Sequence, residues 1–177
     1  MILIRIFAVF VFVMLSGCAI QSPLVAAATG DGTYWVLKEP LVYEDPQSKE
    51  SITVPRGFVT DFASVPRLFW TAFPACEKYT PAAVVHDYLY WEQPHTCDRK
   101  CADDILLTAM TGSNVGVITR NAIYAGVRAG GSRAWDANAA AKEEGSIRNV
   151  PDEFLEFSPN DTWADIEDRI RSAPSFD

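Results

Sequence analysis

The stretch TPAAVVHDYLYW, which begins at Thr80, most constrains the fold because it carries His86 and Asp87 inside an apolar run. Pro81 suits the first turn of a helix, and Thr80 before it is a natural N-cap residue. The sequence therefore predicts a buried helix over about residues 81–91. Charged groups are costly to bury alone, so the His–Asp pair requires polar partners from elsewhere in the chain.

A second predicted helix supplies the most suitable partner. Asp98 is placed to cap it, and apolar residues at three- and four-residue spacings extend it to about Thr111. Asp103 lies beside that apolar stripe. Two antiparallel helices joined by a loop would bring Asp103 opposite His86, which shares a helix face with Tyr90. A carboxylate that accepts one imidazole N–H fixes the tautomer and leaves the other nitrogen as a base.

Two interpretations of this constellation stay open. Asp87 points away from His86 on the helix and could hold a hard cation together with carbonyl oxygens or water. A His–Asp dyad beside a cation activates water against an acyl or phosphoryl centre. The alternative is that His86, Asp87 and Asp103 form a satisfied buried polar network with a purely structural role.

The remaining pattern predicts a single α+β domain, with a small N-terminal antiparallel sheet followed by a bundle of about three helices. Short β-prone runs at 34–37, 41–43 and 52–54 indicate the sheet. A third helix is expected over about 115–129, stopped by the glycine pair at 130–131. The predicted divisions are a leader (1–17), a lipidated Cys and tether (18–32), a globular domain (33–136) and a polar, acidic extension with a short docked helix in 162–171 (137–177).

The first 17 residues have the pattern of a signal peptide, since one Arg precedes an apolar run too short to span a membrane. The following Leu15-Ser16-Gly17-Cys18 resembles a bacterial lipobox. This resemblance implies cleavage before Cys18, lipidation of that residue and attachment to a membrane. Ala19 in the next position implies the outer membrane, with the domain facing the periplasm. The alternative is an ordinary signal peptide with a chance Cys.

The charge and the cysteine content of the chain narrow the classes of partner that it can bind and the redox states expected of its thiols. The formal net charge of −8 disfavours a nucleic-acid partner. An exported chain with Cys76, Cys97 and Cys101 is expected to hold one disulfide and one free thiol. Pairing of Cys76 with either of the others would clamp the ends of the His–Asp helix, whereas Cys97–Cys101 would clamp little, and the sequence does not choose. A zinc site from His95, Asp98 and the two nearby Cys is an alternative, but its spacing fits no common zinc motif.

Further candidate site residues are Asp61, Ser64, Arg99, Arg120 and Arg128. Asp61 and Ser64 lie in an apolar loop, PRGFVTDFASVPRLFW, where a capped turn is the simpler interpretation. Ser64 lacks the G-x-S-x-G context of a hydrolase nucleophile. Arg120 and Arg128 form a stripe with Tyr124 at successive i+4 positions, which suits either a phosphate head group or a solvated helix face.

Several segments together resemble the phage- and prophage-associated family called domain of unknown function 1353. They are TVPRGFVTDFASVPRLFW, AAVVHDYLYW, the helix with Arg99, Asp103 and Met110, and the later Arg120, Tyr124 and VRAGGSRAW. The resemblance spans about residues 52–135. It implies a phage or prophage origin and brings no established activity.

A shorter resemblance concerns chemistry. HDYLY followed by ADDILLTAM is similar to the phospholipase A2 superfamily, including its bacterial and parvoviral-capsid branches. The resemblance implies that His86 deprotonates water, that Asp87 binds calcium, and that Asp103 and Tyr90 orient His86. Two departures are visible, since Leu89 stands where many members have a half-cystine and Gly57 is the lone upstream candidate for a calcium-binding loop.

Two functions are therefore expected from the sequence. One is a calcium-dependent acyl-ester hydrolase of the cell envelope that acts on phospholipid. The other is a non-enzymatic prophage lipoprotein that binds an envelope or phage component, for instance to exclude a second phage.

Overall fold

The structure is a computed structural model that describes residues 19–62 and 78–174. Within these residues, strands occupy the N-terminal part and helices follow, so the predicted α+β class is confirmed. The predicted leader, Cys18, Ser64 and Cys76 lie outside the described residues. The elements are β1 (Ala26–Ala28), β2 (Trp35–Leu37), β3 (Leu41–Glu44), β4 (Ser51–Val54), β5 (Val59–Thr60), α1 (Thr80–Glu92), α2 (Arg99–Gly112), α3 (Val117–Glu143), a 3-10 turn (Asp152–Phe154) and α4 (Trp163–Arg171).

The strands form two small antiparallel sheets. One has the order β1-β2-β5, with Val36 opposite Val59, and the other is the β3-β4 hairpin, with Leu41 opposite Val54. The Asp45 carboxylate shapes the hairpin turn, because its Oδ1 accepts the N–H groups of the two residues at 47 and 48. The three predicted strand regions at 34–37, 41–43 and 52–54 are thus confirmed, and they are divided between two sheets.

Helix α1 is the centre of the fold, and it packs against α2, α3, β3, β4 and β5. Most of its side chains are buried, as expected for a helix that is apolar on nearly every face. The predicted helix is confirmed, but its predicted cap is wrong. Thr80 is the first helical residue, and Tyr79 precedes it without a side-chain capping bond. The reason is that Tyr79 already has helical dihedral angles, with φ −85° and ψ −12°, so the helix starts one residue earlier and includes Thr80.

Helix α2 begins as predicted, because the Asp98 carboxylate accepts the N–H of Cys101 at 2.8 Å. Cys97 and Cys101 form a disulfide across this first turn. Of the three pairings considered, this one constrains the fold least, because Cys97 and Cys101 bonded to each other do not link the two ends of α1. Because both sulfurs are bonded to each other, they are not available as thiolate ligands, so the alternative zinc site is not formed.

Helix α3 is longer than predicted, since it continues through Gly130–Gly131 to Glu143. Tertiary packing explains the glycine at 131. A Cβ at this position would lie 2.4 Å from the Tyr90 hydroxyl oxygen, whereas a Cβ on Gly130 would meet nothing within 4 Å. Gly131 therefore allows a close approach between α3 and α1 and does not end the helix.

The described part of the predicted tether is built into the domain. Ala19 is fully buried, and its carbonyl accepts the N–H of Glu44 at 2.8 Å. Ile20 bridges to Tyr43, and residues 26–28 form β1. Backbone pairing therefore begins at residue 19, the first described residue.

The C-terminal segment covers the face of the β1-β2-β5 sheet that is turned away from α1. The chain returns along β5, where Val59 N–H donates to the Arg148 carbonyl. Helix α4 opens with a capping box between Thr162 and Asp165, and its Ile166 and Ile170 are buried. A second apolar cluster results, formed by Val36, Val59, Val150, Leu155, Ile166 and Ile170. No helix within the described ranges is long and apolar enough to cross a membrane.

Candidate functional site

Helices α1 and α2 bring the side chains of His86 and Asp103 together. His86 Nε2 lies 2.7 Å from Asp103 Oδ1, and both side chains are buried, with 2% and 0% of their surface exposed. An ionised carboxylate only accepts hydrogen bonds, so the Nε2–H is the donor. In the neutral imidazole this arrangement leaves the lone pair on Nδ1.

Asp103 is the hub of the buried network, since four donors converge on its two oxygens. Oδ1 also accepts the Tyr90 hydroxyl at 2.7 Å. Oδ2 accepts Arg99 at 3.2 Å and Arg128 at 2.6 Å. Burial alone raises the pKa of Asp103, but the hydrogen bonds from His86, Tyr90 and Arg128 outweigh it, so this pKa lies below its usual value. The carboxylate is therefore ionised, and its single negative charge faces two guanidinium groups.

Tyr90 is fixed on three sides. Its ring lies 4.1 Å from the His86 ring and makes an edge-on contact with Trp135 at 5.1 Å between centroids. Gly131 leaves room for its hydroxyl, which reaches Asp103. Burial, followed by the hydrogen bond to Asp103, raises the pKa of Tyr90, so the phenol stays neutral and donates. Tyr90 thus orients the carboxylate that orients His86.

The predicted Arg120–Tyr124–Arg128 stripe is occupied by contacts within the chain. Arg128 bonds Asp103, and the Tyr124 hydroxyl donates to Asp104 at 2.7 Å. Arg120 donates to the Val115 carbonyl at 3.4 Å. The stripe therefore contributes to the packing of α3 on α2, and Arg128 joins the site from the inside.

A cleft of about 340 Å³ opens beside the dyad between α1 and α3. One wall carries His86, Asp87 and Tyr90, and the opposite wall is the stretch of α3 from 126 to 138. Asp61 from the end of β5 and Arg148 from the C-terminal segment complete it. The cleft thus places the candidate base beside two carboxylates and one cation, in a space large enough for a small ligand.

The expected calcium site would draw on the carboxylates in this cleft. Calcium takes about six to eight oxygen ligands. Asp87 Oδ2 accepts the Thr60 hydroxyl, and Asp61 Oδ1 lies 4.0 Å from the Arg148 guanidinium. No group of three or more His, Cys, Asp or Glu side chains is arranged to share a metal ion in the part of the chain that the structure describes. The described residues alone therefore do not make a calcium cage.

Gly57, the sequence candidate for a calcium loop, has a different use. It has a φ of +87°, and an added Cβ would lie 2.2 Å from the Val150 carbonyl oxygen. Its N–H donates to Leu37, and its carbonyl accepts from Val150. The glycine is needed where the C-terminal segment crosses the sheet, and this packing accounts for its presence.

Sequence reasoning missed Arg148 and Thr60 as members of the site. Arg148 lies beyond the predicted end of the globular domain, and no local pattern connects it with the His–Asp helix. Thr60 is fully buried, and its hydroxyl both donates to Asp87 and accepts the N–H of Phe62. A polar residue at the end of an otherwise apolar strand was the available signal for Thr60.

The chain matches the model of a known family. The profile of the family described as "Protein of unknown function (DUF1353)" matches residues 35–127. This range contains His86, Asp87, Tyr90, Arg99 and Asp103 but ends before Arg128 and Arg148. Comparison with curated proteins gives no match, and comparison with solved structures gives none either.

Proposed function

The chain belongs to the DUF1353 family, and from this premise and the geometry of the cleft we propose that it is an acyl-ester hydrolase. The observation that supports the proposal is the 2.7 Å hydrogen bond between His86 Nε2 and Asp103 Oδ1 in the wall of a cleft. A base held in one tautomer by a carboxylate is the element that water activation requires.

The proposed reaction uses His86 as general base. Nδ1 takes a proton from water as the water oxygen attacks the ester carbonyl carbon. The tetrahedral intermediate then expels the alcohol, which receives the same proton from His86 as its C–O bond breaks. Asp103 stays ionised throughout and stabilises the transient imidazolium, while Tyr90, Arg99 and Arg128 hold Asp103 in place. The products are a carboxylic acid and an alcohol.

The substrate proposed is a phospholipid ester of the bacterial envelope. This follows from the resemblance of the α1–α2 pair to phospholipase A2 and from the lipobox-like leader, which would place the domain at a membrane as a lipoprotein. Calcium binding by Asp87 is implied by the same resemblance. Because the described residues supply few calcium ligands, the dependence of hydrolysis on calcium is measured separately from its dependence on His86.

The test is hydrolysis of phospholipid vesicles by the full-length protein, with calcium and with a chelator. We expect release of fatty acid by the wild type and at least a thousandfold loss in His86→Asn, a scale typical of removing a catalytic base and its dyad. The chain contains only two His residues. His95, which is exposed on the α1–α2 loop, provides the matched control as His95→Asn.

The outcomes separate the two aspects of the proposal. Fatty acid release that depends on His86 but not on calcium supports the dyad without the metal. Absence of release under every condition, from protein with a normal unfolding transition, would falsify the hydrolase.

A second candidate function is supported by the density of the Asp103 network. A carboxylate that is fully buried and bonded by two Arg residues, a Tyr and a His also suits a purely structural role. The protein would then be a non-enzymatic prophage lipoprotein whose cleft binds an envelope or phage component. His86→Asn would lower the stability in that case, and no ester would be hydrolysed by either protein.

A further inference from the structure

Arg148 is the cation of the cleft, and its surroundings hold it in place. Its carbonyl accepts the Val59 N–H at 2.9 Å, which attaches this part of the backbone to the edge of β5. The guanidinium carbon lies 5.9 Å from the Tyr34 ring centroid and 5.7 Å from that of Trp91. Contacts of a guanidinium with aromatic rings restrict its rotamers. The positive charge is therefore positioned before any ligand arrives.

The charge of Arg148 is only loosely matched. Its one ion-pair contact within the described ranges is with Asp61, at 4.0 Å, and that contact has no hydrogen-bond geometry. By comparison, Arg128 makes a 2.6 Å bond to Asp103. A guanidinium has five N–H donors in a planar fork that suits a phosphate or carboxylate. Arg148 therefore retains donors for an anion, with a quarter of its side chain exposed.

Arg148 also lies where two cavities meet. It lines the 340 Å³ cleft beside His86, and it lines a neighbouring pocket of about 150 Å³ together with Tyr34, Trp91 and Trp163. His86 and Arg148 line the same cleft, so a ligand that filled it with an ester at His86 could place an anionic group of the same molecule against Arg148.

We propose that Arg148 is the anion-recognition residue of this cleft, and that it selects substrates carrying a phosphate group close to the ester. The proposal rests on the proposed hydrolase for the identity of the substrate, but the phosphate site itself does not require turnover. The acidic charge of the whole chain makes such recognition local, because most of the surface repels anions.

The test has a binding arm and a turnover arm, both with the full-length protein. In the binding arm, glycerol 3-phosphate and inorganic phosphate are titrated into wild type, Arg148→Gln and Arg148→Lys. We expect wild-type binding of glycerol 3-phosphate, a loss of about tenfold or more in Arg148→Gln, and a partial loss in Arg148→Lys, which keeps the charge without the fork. Arg56→Gln is the matched control, because Arg56 forms a similarly loose pair with Asp152 at 3.6 Å and does not line the cleft.

In the turnover arm, dihexanoyl phosphatidylglycerol is compared with dihexanoylglycerol, which has the same esters and no phosphate. Arg148→Gln is expected to lower kcat/KM for the phospholipid by about tenfold or more, and to lower kcat/KM for the neutral ester by a much smaller factor.

The two arms distinguish the failures. Wild-type binding that depends on Arg148, without turnover, supports the anion site and refutes the hydrolase. Equal effects of Arg148→Gln on both esters, or binding that Arg148→Gln does not change in a protein with a normal unfolding transition, would overturn the anion site. If inorganic phosphate binds as tightly as glycerol 3-phosphate, the site takes free phosphate and its selection of an ester substrate is refuted.

Discussion

Replacing Asp103 by Asn tests whether one buried carboxylate organises the centre of the molecule. The substitution keeps the shape of the side chain and removes its charge. The carboxylate has two accepting oxygens, which bind His86 and Tyr90 on one side and Arg99 and Arg128 on the other. An Asn side chain has one accepting oxygen and turns an NH₂ donor toward one of these pairs. Whichever way the amide turns, both Arg residues lose their ionised acceptor, and one of the two pairs meets a donor in place of an oxygen.

The magnitude follows from the two Arg contacts. Hydrogen bonds to charged groups contribute about 1.5–3 kcal/mol each, so losing two costs about 3–6 kcal/mol. The guanidinium side chains are 24% and 31% exposed, and water recovers part of this loss. We expect the free energy of unfolding to fall by about 3 kcal/mol at pH 7. With a urea dependence of about 2 kcal/mol per molar, the midpoint shifts by about 1.5 M.

The dependence on pH provides an internal check. Because the pKa of Asp103 is lower in the folded protein than its ordinary value of 3.8, its stabilisation is present above that value and is lost as the pH falls through the folded pKa. The gap between wild type and Asp103→Asn should stay constant from pH 7 to about pH 5 and shrink below about pH 4.

The neighbouring Asp104 supplies the control for this prediction. Its carboxylate bonds Lys100 and Tyr124 at the surface, where it is 44% exposed. Asp104→Asn should cost less than about 1 kcal/mol. Urea unfolding between pH 3 and pH 7 measures all three proteins. A gap for Asp103→Asn below about 1 kcal/mol, or one that widens toward acid, would refute the role assigned to this carboxylate.

Two further predictions concern the helices around the site. Gly131→Ala should destabilise the protein by about 1–3 kcal/mol, because the new Cβ meets the Tyr90 hydroxyl and the Tyr90 ring is already held by its neighbours. Gly130→Ala should instead stabilise the protein by about 0.5–1 kcal/mol, because its Cβ meets nothing among the described residues. Thermal unfolding of the pair checks this, and equal effects of the two substitutions would contradict the close approach. Thr162→Ala removes the cap of α4 and should lower the free energy of unfolding by about 1 kcal/mol, as measured by urea unfolding. The control is Ser158→Ala, because the Ser158 hydroxyl accepts only a 3.3 Å bond from the N–H at 160. A loss for Thr162→Ala no larger than that of the control would count against the capping box.

The parts of the fold that the sequence predicted depend on local signals. Helix α2 has a capping Asp and a regular apolar stripe, and the spacing between His86 and Asp103 fits two adjacent antiparallel helices. Helix α3 was predicted too short because two consecutive glycines are a strong local stop signal. At Gly131 the deciding contact is with Tyr90 on another helix, and a contact of that kind has no local signature.

The candidate site was predictable in its centre and not at its rim. The dyad and Tyr90 lie on helices whose phase can be read from the sequence. Arg148 reaches the cleft because the C-terminal segment folds back against β5, where Phe58 bridges to Asn149. The position of such a return depends on which strand edge remains unpaired, and the composition of a polar segment does not reveal it.

The return of the C-terminal segment changes what counts as the smallest unit that can be produced and studied. The backbone N–H of Gly30 donates to the Asp161 carbonyl at 2.7 Å, and Asp31 accepts the N–H of Trp163. The range that matches the family profile ends at residue 127, so a fragment trimmed to it would lose the whole cover of the β1-β2-β5 sheet. Val36 and Val59, both fully buried, would then face solvent. An expressed fragment of this chain should therefore extend beyond the end of α4. A fragment limited to the matched range would have an incomplete core and would be prone to aggregate.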